Sequence, residues 1–349
     1  MKRVAGLSFL LILVAGFVFA DDANVLPQGV IRIRAIPSFS MVDQGYDKDG
    51  TAFNDTKGSV TVLSAAAELG VTQNITIGFQ WAPGYAVASN FDRLPNQLVP
   101  LASAAGVKAD KMSVNGPADL QVGAKFQIIG KEGFVANEQF RFTVTPGIQI
   151  PLDSYDAQTE ATNALSGKTF RPASASTYQS LGLGSKADLD YVINEMFYVN
   201  LHGELLYFSP KDMITFGTAF LHGYLVSAAG QAYADANEPL TSTSITYGLQ
   251  STFELEPHAK FDITKDTNIS AGLPLTFETK GAGSSTYSGT KTDGDADTLL
   301  SIGPNVSLFT LIGPLPIEVE LQYFYPLIAK TDTPQKTFAI QMKFFGKLF

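Results

Sequence analysis

The 349-residue chain has no cysteine. That excludes a disulfide scaffold, a thiolate metal site, a cysteine nucleophile and a lipid-modified cysteine behind a leader. Charge is scarce too. Asp, Glu, Lys and Arg make up 16% of the residues, against about 25% in an ordinary soluble domain. The net charge is −9, so the basic face of a nucleic-acid binder is missing and no nucleic-acid partner is expected. Three His residues leave little for a His-rich metal centre. No G-x-S-x-G elbow, Walker loop or H-E-x-x-H pair occurs. The chain reads as a non-enzyme with no cofactor and no metal. What it has in quantity is Gly, Phe and Tyr, with 31, 25 and 13 residues.

One long apolar run exists, at the N-terminus. Lys2 and Arg3 precede a stretch from Leu7 to Phe19 whose one polar side chain is Ser8. Val18 and Ala20 then lead into Asp21 and Asp22. This is the layout of a secretory signal peptide over residues 1–20, cut between Ala20 and Asp21. The alternative is an anchoring helix, but the run is shorter than the ~20 residues that span hydrocarbon. No later apolar run reaches that length, so no transmembrane helix is expected in residues 21–349.

Beyond residue 20 the dominant pattern has period two, the mark of strands with two unlike faces. Leu120, Val122, Ala124, Phe126 and Ile128 alternate with Gln121, Gly123, Lys125 and Gln127. Phe140, Phe142, Val144, Ile148 and Ile150 alternate with Arg141, Thr143, Thr145, Gly147 and Gln149. Tyr247, Leu249, Phe253, Leu255, Phe261 and Ile263 oppose Thr246, Gln250, Glu254, Glu256, His258, Lys260 and Asp262. Similar segments recur along the chain and predict about twelve strands, each near the ~9–11 residues of a tilted membrane-spanning strand. Short links at 70–74, 130–138, 194–196, 264–267 and 312–316 alternate with long ones at 42–58, 88–118, 152–179, 209–244 and 281–298. The expectation is an all-β, antiparallel up-and-down barrel in the outer membrane of a Gram-negative type envelope. Tight periplasmic turns, long outer loops and both termini on the periplasmic side go with it. Closure has a physical cause: lipid offers backbone groups no hydrogen bonds, so a membrane sheet tolerates no free edge.

Trp81, Tyr85, Tyr191, Tyr207, Tyr323 and Tyr325 fall near strand ends, where aromatic girdles lie. The competing reading is core packing in a soluble β-sandwich. Phe349 ends the chain as a terminal aromatic, a feature outer-membrane assembly machinery commonly recognises, although Lys347 departs from the usual apolar residue at its position. Two features resist the barrel. Pro37, Pro83, Pro146, Pro257, Pro274, Pro304 and Pro326 lie inside proposed strands, where each removes a ladder donor. Asp212 to Ala236 fits either a helix in the longest loop or an extra hairpin that would raise the count to fourteen.

The stretches LPQGVIRIRAIPSFSM, AAAELGVTQNITIGFQWAPGY, ADLQVGAKFQI and FRFTVTPGIQIPLDS resemble barrels of the meta-pathway phenol-degradation and transporter family, distantly like the long-chain fatty-acid transporters. The LGVT-x-N-I-T-I-G turn and the DLQVGAKF strand carry most of the likeness. The resemblance implies passage of small, often hydrophobic molecules across the outer membrane. One departure stands out. Asp21 to Gly29 are too few residues for the N-terminal plug that fatty-acid transporters carry inside the barrel.

On the barrel reading the polar faces turn inward. They carry Arg32, Arg34, Lys125, Arg141, Lys186, Asp188, Asp190, Glu204, Glu254, Glu256, His258, Lys260, Glu278, Glu318 and Glu320. These either line a water-filled passage and select its solutes, or form a salt-bridged plug. Either way their place is inside, because a lipid-facing Arg or Lys near mid-membrane costs roughly 2–4 kcal/mol. Glu254, Glu256, His258 and Lys260 share a face and invite an acid/base reading, but no Ser partner accompanies them. Asp47, Asp49 and Gly50, and Asp293, Asp295 and Asp297, are faintly calcium-loop-like, but neither group has Glu at the twelfth position. The expected partners are outer-membrane lipid, the assembly machinery and small solutes. A surface-interaction barrel with a closed lumen is the alternative function.

Overall fold

The computed structural model describes residues 23–348 apart from 43, 54–56, 83–84, 91–111, 166–173, 177, 217–239, 288–289 and 333. The leader with its cut at Ala20 and Asp21, Pro83 and Phe349 lie outside the described residues.

Twelve staves make one closed antiparallel barrel. They are β1 (Val30–Val42), β2 (Lys57–Thr72), β3 (Ile75–Trp81 and Tyr85–Asn90) and β4 (Met112–Gly116 and Asp119–Gly130). Next come β5 (Phe140–Pro151), β6 (Gly182–Val192), β7 (Phe197–Phe208) and β8 (Gln250–Thr264). The ring is completed by β9 (Thr267–Gly272 and Leu275–Lys280), β10 (Asp297–Ile302 and Asn305–Ile312), β11 (Leu315–Lys330) and β12 (Lys336–Lys347). Each stave pairs antiparallel with the next, and β12 returns to β1 from Val30 opposite Lys347 to Met41 opposite Lys336.

Burial settles which face is which. Ile33, Leu63, Leu201 and Phe253 are 50%, 51%, 49% and 56% exposed on the outside. Arg34, Thr143, Asp188, Asp190 and Asn200 are among the most deeply buried side chains. A soluble sandwich has the opposite arrangement, with Phe and Ile packed inside. Here the apolar surface faces out, as lipid requires. Aromatics gather near the ends of the staves. Phe140 and Tyr191 pack at 5.1 Å, and Phe197 meets Phe261 edge-on at 6.2 Å. Among the described residues no helix is long and apolar enough to cross a membrane.

The prolines are accommodated by their carbonyls and by gaps in the ladder. Pro274 and Pro304 sit where β9 and β10 are interrupted. Their missing donors are offset by their acceptors: Gly303 N donates to Pro274 O at 2.9 Å, and Tyr323 N to Pro304 O at 3.1 Å. Pro326 lies at a register shift between β10 and β11. Pro37, Pro146 and Pro257 stay in register opposite Leu63, Ser185 and Val199.

At the long-link end a second sheet stands apart from the ring. Lys211–Phe216 pairs with Leu240–Thr246, which pairs with Ser284–Tyr287, which pairs with Thr290–Asp293. Lys211–Phe216 is therefore a strand, yet it adds nothing to the barrel, and the count stays at twelve rather than fourteen. Residues 217–239, the remainder of the ambiguous segment, lie outside the described residues. The long 152–181 link carries a helix, α1 (Ala157–Leu165), capped by Asp156. The Asp156 carboxylate accepts from the Thr159 hydroxyl at 2.5 Å and the Gln158 N–H at 3.1 Å, and these bonds hold its carboxyl below the usual 3.8.

Candidate functional site: the barrel lumen

Alternation places every second side chain of each stave inside, and antiparallel registry sets these inward residues side by side across neighbouring staves. On β1 and β2, Arg32 Nε lies 2.5 Å and Arg34 Nε 3.6 Å from Glu68 Oε2. Arg34 also donates to Gln341 Oε1 of β12 at 3.1 Å. On β4 to β7, Asp188 accepts from His202 Nδ1 at 2.6 Å and Thr143 Oγ1 at 3.1 Å, with Lys125 Nζ at 3.9 Å. Asp190 accepts from Asn200 Nδ2 at 2.7 Å and has Arg141 Nη1 at 3.7 Å. Lys186 Nζ stands 3.5 Å from Glu204 Oε2. Each buried charge in this half thus has a partner of opposite sign or a hydrogen-bond donor, which a low-dielectric interior demands.

This half is also closed above and below. From the long-link end, Ser174, Ala175, Ser176 and Tyr178 turn inward and are buried. Ser176 Oγ donates to Asp119, which also accepts from Gln149 Nε2 at 2.6 Å. Tyr178 stacks on Phe208 at 3.9 Å and meets Tyr247 edge-on at 4.8 Å. Tyr247 OH donates to Tyr178 O at 2.7 Å. Burial pushes the Tyr178 phenol up. From the other end, residues 23–29 enter the lumen beneath β3, β4 and β6, with Ala23 fully buried.

The wall of β8 to β11 differs. Glu254, Glu256, His258, Glu318 and Glu320 face inward but remain part-exposed. Glu254 accepts from Thr276 Oγ1 at 2.6 Å, Glu256 from Asn305 Nδ2 at 2.8 Å, and His258 packs on the Tyr198 ring at 4.5 Å. Lys343 Nζ bridges Glu318 and Glu320 at 2.8 and 2.7 Å. The members of the supposed acid/base row thus each meet a residue of a neighbouring stave. Lys260, four residues from the short-turn end of its stave, is exposed.

The Asp47 loop is an ordinary turn. Asp47 Oδ1 accepts from the N–H groups of Asp49 and Thr51 at 3.0 and 2.8 Å, and Gly50 takes φ 77°. Among the described residues no group of three or more His, Asp or Glu gathers to hold a metal. Asp293 pairs with Lys291 at 3.0 Å.

The sequence reading missed three lumen features. One is the roof of Ser174, Ala175, Ser176 and Tyr178, and another the 23–29 floor. The third is a row of inward-facing glycines, Gly78, Gly123, Gly147 and Gly184, aligned across β3 to β6. There the backbones come close: a Cβ on Gly147 would lie 3.0 Å from Val122 O. The row was legible in principle, since each glycine occupies a polar-face position of its stave.

The same architecture recurs in a solved structure with a TM-score above 0.5, and more distant barrels also align. The COG4313 outer membrane channel from Pseudomonas putida F1 aligns over 94% of this chain and 98% of its own, at 14% identity and a TM-score of 0.59. The TodX monoaromatic hydrocarbon channel aligns over 93% and 91%, at 8% identity and a TM-score of 0.44. A Pseudomonas aeruginosa FadL homologue aligns over 92% and 90%, at 9% identity and 0.37. No curated protein matches the chain. A family model does match it, over residues 43–291. This β-barrel chain therefore belongs to the family described as "Putative MetA-pathway of phenol degradation".

Proposed function

We propose that the protein is a passive outer-membrane channel for small solutes, hydrophobic ones among them. The observation that carries this reading is a closed barrel whose inner face is lined by polar and charged side chains, with Glu254, Glu256, His258, Glu318 and Glu320 on β8 to β11 part-exposed. In this reading these five residues and Lys343 select the solute. Arg32, Arg34, Lys125, Arg141, Lys186, Asp188 and Glu204 hold the opposite wall in shape. Membership of a family linked by its description to phenol degradation supports a small aromatic cargo. The COG4313 outer membrane channel adds the same overall plan. No step of the reading needs a catalytic group or a cofactor.

The packed half of the lumen favours a second reading, a barrel whose interior is closed and whose outer links bind partners. Recording from purified protein in planar bilayers, with phenol entry into liposomes measured beside it, separates the two. Discrete conductance steps and phenol entry above that of protein-free vesicles are the expected result. A silent bilayer with no added phenol entry supports the closed barrel instead. The channel reading places the short turns and Val30 at the periplasmic face.

A further inference from the structure

Residues 23–29 do not trail from the barrel. They cross its short-turn mouth on the inside. Val30 N donates to Pro27 O at 3.0 Å, which turns the chain back from the start of β1. Gly29 N then donates to Gly70 O of β2 at 2.8 Å. Leu26, buried, donates from its N–H to Thr76 Oγ1 of β3 at 2.8 Å. Gln127 Nε2 of β4 donates to Ala23 O at 2.7 Å. Ala23 N reaches both carboxylate oxygens of Asp190 on β6, at 3.3 and 3.2 Å. A seven-residue segment thus runs from β1 to β6, about half way round the ring, and three inward side chains grip its backbone.

Two details mark this as a fitted path. Gly70 lies directly under the segment, and a Cβ there would run into the carbonyl oxygens of Leu26 and Pro27. Asp190 is fully buried, and its contacts with Asn200 and Arg141 leave its oxygens aimed at the Ala23 N–H. Hydrogen bonds to a buried carboxylate are strong, yet a strap with only two buried apolar residues, Ala23 and Leu26, has little apolar area to keep it in place. Local segments with few apolar contacts open at far lower cost than the fold around them.

We propose that residues 23–29 are a releasable strap that sets the width of the periplasmic exit, with Thr76, Gln127 and Asp190 as its catch and Gly70 as its seat. The inference rests on the channel reading. With the strap seated, solute leaves only past the β8 to β11 wall. With the strap withdrawn, the mouth beneath β3 to β6 opens as well.

The absence of cysteine makes a clean test. Leu26→Cys together with Thr76→Cys places two thiols at a pair of residues already joined by a hydrogen bond. Planar-bilayer conductance of the same preparation is recorded oxidised and after reduction with dithiothreitol. The oxidised protein is expected to hold one low-conductance level, and reduction to restore excursions to a higher one. Asp190→Asn should raise the time spent at the higher level about tenfold. Gly70→Ala, which unseats the strap without touching its catch, should move in the same direction. Equal, finite conductance from the tethered protein, the reduced protein and Gly70→Ala overturns the strap and leaves the channel standing. Silence from every form sinks the channel and the strap together. If Asp190→Asn fails to assemble, the tethered pair, which keeps Gln127 and Asp190 and replaces the Thr76 contact by a covalent one, still decides the matter.

Discussion

The two sides of the lumen are built from the same alternating strands and from similar numbers of charges, yet they do different things. On β1 to β7, Arg34, Glu68, Lys125, Lys186, Asp188, Asp190 and His202 are buried and joined across neighbouring staves, under a roof of Ser174, Ala175, Ser176 and Tyr178 and over a floor at 23–29. On β8 to β11, Glu254 meets Thr276, Glu256 meets Asn305, Glu318 and Glu320 meet Lys343, and all four keep some exposure. The difference teaches that facing inward is not the same as being available. Availability is decided by what covers the wall, and on the first side that cover comes from links between strands.

This contrast can be broken by substitution. The largest effect is expected from Asp188→Ala, which strands His202, Thr143 and Lys125 around an uncompensated site. A loss of about 3–5 kcal/mol is expected, read from urea unfolding in detergent or lipid. A loss under 1 kcal/mol would mean that the packed half is not packed. Next comes Leu201→Arg on the outer face, where the native side chain is 49% exposed. It should cost about 2–4 kcal/mol in lipid vesicles, and an unchanged midpoint would place that face away from the membrane. Glu320→Ala, on the available wall, should cost no more than about 1 kcal/mol, because Lys343 keeps Glu318. Its main effect should instead be a change in ion selectivity, measured as a shift in reversal potential. A selectivity change from Asp188→Asn and none from Glu320→Ala would reverse the assignment of the two walls.

The smallest effect belongs to α1, outside the ring. Its cap Asp156 is held below 3.8, first by the Thr159 hydroxyl and then by the Gln158 N–H. A lowered carboxyl supports the helix above its unfolded value and loses that support as pH falls through its folded one. Amide exchange at Gln158 and Thr159 should therefore quicken only below pH 3.8, relative to the base rate, while the barrel transition stays in place. Asp156→Ala should show the quicker exchange at neutral pH as well.

Much of this was legible in the residues. The twelve strands followed from alternation and from the rhythm of short and long links, because period two is set locally by the pleat. Arg32, Arg34, Lys125, Lys186, Asp188 and Glu204 could be assigned inward for the same reason. Their partners could not. That Asp188 meets His202 rather than Lys186 of its own stave depends on the registry of β6 with β7, where Asp188 lies opposite His202. The row of Glu254, Glu256 and His258 looked like one group because neighbours two apart share a face. In the barrel the adjacent staves also bring each of them a neighbour from another strand, Thr276, Asn305 and Tyr198. Residues 23–29 are too few for the plug of a fatty-acid transporter, yet they do enter the lumen. They reach β6 only because the ring brings β1 and β6 within seven residues of each other, a distance no linear reading contains.

What the sequence determined by itself is the two-faced strand, repeated until a closed ring was the one way to satisfy its backbone in lipid. What only the tertiary structure decided is which inward charges are sealed and which stay open. That choice turns on cross-strand registry and on links folded back into the lumen, and both are properties of residues far apart along the chain.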